Sequence, residues 1–263
     1  LKGIMTSTSL MINMPGFDYA VKKTKEHSTL GVGIHFNLTE GKPISHPLLI
    51  PDLLDEYGSF KTNEIQRKNL LLGKKIYKQV YIELNAQLEK MINNGIVPTH
   101  FDSHHHITGV PIAFKASMAL AKEYNIEKAR ITNIDFRYTR DYKGGNLSKI
   151  KRDIFNTPKA LVHRWNKIKL RNNGFKTPDT KLLPFRVLPL LNDEIDHFIQ
   201  ALSVLKPGVT EISFHPGYLD SNPQDSADTA SLRMRDFNIA TSKLVKDYLS
   251  ENKIKLISFK DLQ

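Results

Sequence analysis

The chain contains no cysteine and one tryptophan among its 263 residues. Without a thiol it can build no disulfide framework, offer no thiolate to a metal and use no cysteine nucleophile. Any metal site must therefore be made of imidazoles and carboxylates, and the composition suits a cytoplasmic protein. No run of 18 or more apolar residues occurs, so no membrane-spanning helix is expected. The opening residues carry no leader-like pattern of basic and apolar blocks. Acidic residues are in short supply, with 27 Asp and Glu against 38 Lys and Arg, for a net charge of +11. Between Lys143 and Leu183 lie eleven basic residues opposed only by Asp153 and Asp179. No nucleic-acid motif with stacking aromatics accompanies them, so the excess reads as a solvated basic surface and nucleic acid is not expected as a partner. A Gly-rich, phosphate-cradling loop at a helix start is also absent, which argues against phosphoryl chemistry.

What is present is enough for one large α/β domain. Hydrophobic residues make up 40% of the chain, with nine Tyr and thirteen Phe to fill a core. Apolar and β-branched runs predict strands at 4–12, 29–37, 97–104, 129–132, 209–214 and 254–258. Period-3.6 patterns predict helices at 17–26, 63–93, 111–124, 158–171, 192–205 and 227–252, with Gly95 stopping the second. Strands alternate with helices almost throughout, which argues for a parallel sheet or a (β/α) barrel. No repeat and no low-complexity linker interrupts the pattern.

The histidines are unevenly placed. Four of the ten fall between His100 and His106, in Thr99-His100-Phe101-Asp102-Ser103-His104-His105-His106. Read as a strand, this segment puts His100, Asp102, His104 and His106 on one face. Two further predicted strands also end in histidine, at Gly33-Ile34-His35-Phe36-Asn37 and at Phe214-His215-Pro216-Gly217. In parallel α/β folds the active site lies at the carboxyl ends of the strands. A lone histidine there is more often structural, but three from separate strands point to a site. His35 and His104 can each offer a nitrogen to a divalent metal, with Asp102 or His100 orienting a neighbour. Such a cation acidifies water and polarises a carbonyl. His215, fixed by the Pro216-Gly217 turn, is the candidate to protonate a leaving amine.

These segments resemble the YdjC/ChbG-like carbohydrate deacetylase family. The match runs through 3–11, 33–41, 99–106, 215–217 and 254–259, nearly the whole chain in the family's order. The resemblance implies a distorted (β/α) barrel of mostly parallel strands, with residues 1–263 forming a single deacetylase domain. It implies metal-dependent removal of acetyl groups from N-acetylglucosamine oligosaccharides, with Mg or Zn as cofactor. By motif match the metal residues are His35 and His104, with His106 a further candidate. Asp102 is implied beside the metal as an orienting group, His215 as the general acid and Arg130 as a substrate contact. Asp179, in Lys176-Thr177-Pro178-Asp179, falls in a recurring family segment.

The chain departs from the family in two places. Thr108 stands where the family usually carries another histidine. More consequentially, the family opens with a strand ending in an Asp-Asp pair, one a metal ligand and the other the general base. Here the sequence begins at Leu1-Lys2-Gly3, which matches the end of the first helix. The expectation is an N-terminally incomplete domain whose first strand is missing, inactive or nearly so as it stands. Two other readings stay open: a different metal-assisted hydrolase such as a phosphoesterase, and a catalytically impaired carbohydrate-binding protein. The expected partner is an acetylated amino-sugar oligosaccharide, with no membrane association and a homodimer as a candidate assembly.

Overall fold

The structure, a computed structural model, describes residues 3–72, 76–131, 161–162, 164–182, 194–218 and 227–263. It divides into two compact units. One comprises Thr6–Thr132, Trp165–Thr177 and Ile257–Gln263; the other comprises Leu1–Met5, Asn133–Arg164 and Pro178–Leu256.

The first unit is built on three parallel strands, β1 (Ser7–Leu10), β2 (Gly31–Phe36) and β3 (Phe101–Ser103), side by side in that order. Helix α1 (Phe17–Glu26) connects the first two strands. Helices α2 (Asn63–Leu72) and α3 (Ile76–Asn93) precede β3, and α4 (Pro111–Glu123) follows it. The helix expected over 63–93 is thus seen as two stretches, with 73–75 outside the described residues. Val80, Leu84, Leu88 and Met91 recur at helical spacing and are buried, which is why α3 packs on the sheet. Gly95 ends it in a left-handed turn (φ +82°), letting the Ile96 N–H reach the Met91 carbonyl at 3.3 Å. Proline at the start of α4 costs no hydrogen bond, because that N–H lacks a helical partner anyway.

Register decides what each sheet face carries. Ser9 pairs with Gly33 and His35 with Asp102. With a period of two, Ile34, Phe36 and Phe101 face the hydrophobic core with Leu84, Leu88, Phe114 and Leu120. The opposite face carries Ser9, Gly33, His35, His100 and Asp102. Gly33 is required there for space. A Cβ on it would lie 2.5 Å from the His100 ring, which is fully buried and stacked on Phe259 at 3.8 Å between centroids. Gly33→Ala is therefore expected to destabilise the protein by roughly 1–3 kcal/mol through overpacking. An unchanged urea midpoint would mean that the imidazole gives way freely.

In the second unit β4 (Thr180–Leu182) pairs in parallel with β5 (Thr210–Ile212). Helices α5 (Glu194–Ser203), α6 (Ala227–Thr241) and α7 (Lys243–Glu251) belong to the same unit, and Leu182, Phe198, Ile239 and Val245 are in its core. The chain is thus an α/β protein in which every described strand pairing is parallel, as the alternating pattern predicts.

Local expectations needed three corrections. The helix expected over 227–252 breaks at Ser242, whose backbone turns extended (ψ 130°) and whose hydroxyl caps α7 by accepting from the Val245 N–H. Residues 254–258 form no ladder. Instead the Thr6 hydroxyl donates to the Ile257 carbonyl at 2.6 Å, and Ser258 caps the short turn Phe259–Asp261. The strand expected over 129–132 is reduced to a single bridge from Ala129 to Phe101, with Thr132 outside the described residues. Among the described residues, no helix is long and apolar enough to cross a membrane.

Candidate functional site

Asp102 is the hub of the first unit's polar face. Its Oδ1 lies 2.7 Å from His35 Nδ1, and its Oδ2 accepts from the Ser9 hydroxyl at 3.1 Å and from Arg130 Nη1. The in-register pairing of His35 with Asp102 produces the first contact, since paired residues of neighbouring strands place their side chains on the same face. Burial alone would push the Asp102 carboxyl up. The Arg130 guanidinium and the His35 ring outweigh it and hold the group well below the usual carboxylate range. Asp102 is therefore ionised at any physiological pH and a very weak base. With Nδ1–H donating to Asp102, the lone pair of His35 is on Nε2, the nitrogen free to act as a ligand.

The expected strand geometry stops at Ser103. Residues 104–109 form a short 3-10 turn in which His105 (φ 49°, ψ 21°) and His106 (φ 53°, ψ 37°) are left-handed. The alternation that would place His100, Asp102, His104 and His106 on one face therefore holds only for His100 and Asp102. The turn has a different result. His35 and His104 meet edge to face, 5.7 Å between ring centroids, and His104 and His105 lie 3.9 Å apart. His104 Nε2 is 2.7 Å from Glu40 Oε2, and His105 Nδ1 is 3.0 Å from the Thr39 hydroxyl. Burial, reinforced by His105 and His35, pushes the His104 pKa down to about 4, against the pull of Glu40. Burial also lowers that of His105, with Glu40 opposing and Arg67 and His35 assisting. At neutral pH both rings are uncharged and can ligate.

The loop bearing Thr39 and Glu40 is anchored from beneath. Glu83 on α3 is fully buried, and its carboxylate accepts from the N–H groups of Ile44 (3.0 Å) and Ser45 (2.9 Å), from the Ser45 hydroxyl and from Gln87. Gln87 in turn accepts from the Asn37 N–H at 3.1 Å and donates to the Asn37 carbonyl at 2.6 Å. The Asn37 and Asn13 side-chain amides both donate to the Glu40 carbonyl, at 2.7 and 2.9 Å. A buried carboxylate satisfied in this way rigidifies what it holds.

His215 lies in the second unit, just after β5. Its N–H donates to Asp236 Oδ2 at 2.7 Å, and the Gly217 N–H donates to the Arg233 carbonyl at 3.2 Å, so α6 clasps the His-Pro-Gly turn at two points. Burial raises the Asp236 pKa against the pull of the His215 N–H and of Arg235. Asp179 accepts from the Val209 N–H at 2.9 Å in this unit.

The donor set fits a divalent cation. Glu40, His104 and His105 each offer a ligand atom, all within 4.8 Å of one another. Imidazole with carboxylate suits zinc and also accommodates harder ions. The sequence by itself marks none of Ser9, Glu40 and His105 as a site residue. Glu40 lay within the segment that carried the resemblance, and the signal for Ser9 was its place on the strand face shared with His35.

The family model described as YdjC-like protein matches residues 1–251. A carbohydrate deacetylase of Clostridium beijerinckii is 32% identical over 260 residues, covering 99% of this chain and 89% of its own. One of Brevibacillus brevis is 30% identical over 261 residues, covering 99% and 90%. Among solved structures, a "putative cellobiose-phosphate cleavage protein" of Enterococcus faecalis superposes with a TM-score of 0.74 at 25% identity, covering 98% of this chain and 88% of its own. With the family model matching residues 1–251 and a relative 32% identical over 99% of this chain, the chain belongs to the YdjC-like protein family.

Proposed function

We propose that the chain is a metal-dependent carbohydrate deacetylase, one domain over residues 1–263, that hydrolyses the N-acetyl group of N-acetylglucosamine-containing oligosaccharides. The observation that carries the reading is the meeting of His35, on β2, with His104, in the turn that follows β3, with Asp102 fixing the His35 tautomer. The names of the Clostridium and Brevibacillus relatives, each a carbohydrate deacetylase, support an acetylated sugar as substrate. His35 and His104 would hold Mg or Zn, with His106 a further candidate from the same turn. The chemistry a bound cation supplies is Lewis acidity, which polarises the acetyl carbonyl and acidifies water. The chain's own residues do the rest. Asp102 orients His35 and stays ionised under Arg130 and Ser9. Arg130, whose side chain keeps 19% exposure, meets the sugar. His215 gives a proton to the amine nitrogen as the C–N bond breaks, so that the amino sugar leaves neutral.

The test is acetate release from di-N-acetylchitobiose, by the chain as it stands and by the chain preceded by the family's Asp-Asp segment. The longer form is expected to release acetate, to stop on chelation and to recover with Zn or Mg. No release by the longer form from any acetylated amino sugar overturns the reading. Phosphate release from a phosphorylated disaccharide is measured alongside, because of the description the Enterococcus structure carries. Sugar binding without hydrolysis in both forms would favour a non-catalytic binding protein.

A further inference from the structure

We propose that Asp236, on α6, is the positioning residue of His215: its buried carboxyl fixes the backbone from which the imidazole reaches the leaving amine. The inference rests on the deacetylase reading above, in which His215 is the acid. The strand by itself does not hold this histidine. The β4–β5 ladder pairs Leu182 with Ile212, and the Ser213 N–H closes it on the Leu182 carbonyl at 3.2 Å. The Phe214 ring packs on Phe198, 5.7 Å between centroids. His215 comes next and is exposed. Pro216 restricts it to extended backbone and offers no N–H of its own, so the turn is fixed through the N–H groups on either side of the proline.

Helix α6 takes both. Arg233, Asp236 and Phe237 stand at i, i+3 and i+4, on one face of the helix. The Arg233 carbonyl accepts from the Gly217 N–H at 3.2 Å, Asp236 Oδ2 accepts from the His215 N–H at 2.7 Å, and the Phe237 ring lies 4.9 Å from that of Tyr218. Of these, the Asp236 bond is the one made to His215 itself. Asp236 is 1% exposed, with Arg235 Nη2 3.7 Å from its Oδ1. A carboxyl buried this deeply costs free energy unless donors reach it, and burial does raise its pKa. An apolar side chain would fill the same space without that cost. What the acid adds is an acceptor aimed at the main chain of an exposed histidine. The backbone of His215 is thus tied to the interior while its ring stays open to a substrate. An acid works only within hydrogen-bond reach of the atom it protonates, and a misplacement of about 1 Å can cost about 100-fold in rate. A turn released from Asp236 gives the ring that freedom.

The experiment combines hydrogen exchange at the His215 amide with turnover of di-N-acetylchitobiose and of an aryl acetate, in D236A, D236N, H215A and the double variant D236A/H215A. In D236A the His215 amide is expected to exchange at least about tenfold faster than in the wild type. Its kcat on the amide is expected to fall by about 100-fold with KM little changed, and its kcat on the aryl acetate far less. D236N keeps a carbonyl oxygen as acceptor and is expected to restore most of both losses. Adding D236A to H215A is expected to change amide kcat by less than about twofold, since Asp236 acts through that ring. A merely structural role would slow both substrates alike, in step with the melting temperature. If D236A does not fold, D236L, which fills the space without an acceptor, takes its place with the same expectations. Wild-type amide exchange or wild-type amide kcat in the variant that lacks the acceptor overturns the proposal, as does a full D236A loss on top of H215A. A loss in H215A without one in D236A defeats the role of Asp236 alone. Wild-type amide turnover in H215A removes the acid from the deacetylase reading itself, and the role of Asp236 with it.

Discussion

Asp102→Asn is expected to lower the free energy of unfolding by about 3–5 kcal/mol, the range for breaking one partner out of a buried ion pair. The replacement keeps the volume but removes the charge that Arg130 and the His35 Nδ1–H share, in a position 4% exposed. The amide also offers its NH2 to one of three donors that now meet a carboxylate. The pH dependence distinguishes this from a packing defect. Asp102 has a folded pKa below its unfolded value, so its stabilisation is fully present above about pH 4 and disappears as the pH falls further, toward the folded value. The gap between wild type and variant should be constant from about pH 5 upward and narrow below pH 4. Cation affinity should fall by about 10–100-fold as well, because the orientation and tautomer of His35 are no longer fixed. Urea denaturation across pH and metal titration read the two effects; a loss below about 1 kcal/mol would mean that the Arg130–Asp102 pair contributes little.

The other large effect belongs to His215. In the proposed reaction its replacement by alanine removes the proton that the leaving amine needs, and kcat on an N-acetyl sugar should fall by about 10²–10⁴-fold with KM little changed. The loss should be much smaller for an aryl acetate, whose leaving group departs without protonation. Equal losses on amide and ester would remove His215 from the role of acid and assign the defect to the turn that Asp236 and Arg233 hold.

How much of this was legible in the sequence depends on how local each signal is. The period-two and period-3.6 patterns announced an α/β chain with parallel strands, and β1, β2 and the helices from α1 to α4 lie where apolar spacing puts them. Strand β4 was not foreseen. It is three residues long and its central Lys181 is 1% exposed beside Glu211 at 3.6 Å. A charged residue reads as solvent-facing until its partner, on another strand, is known. The long C-terminal helix pattern was likewise continuous in sequence and was cut by one serine cap.

The candidate site divides along the same line. Alone, the sequence established that no thiolate could take part, that histidines gather at predicted strand ends, and that the motifs from 3–11 to 254–259 run in family order. Only the folded chain decided that His35 faces Asp102, that the strand stops at Ser103, and that Glu40 and His105 lie beside His104. The reason is physical. Backbone periodicity is written by neighbours a few residues away. A register is chosen by the burial of a whole sheet face, and the left-handed histidine turn is held by Arg67 of α2, whose hydrogen bonds to the His105 and His106 carbonyls no local pattern contains.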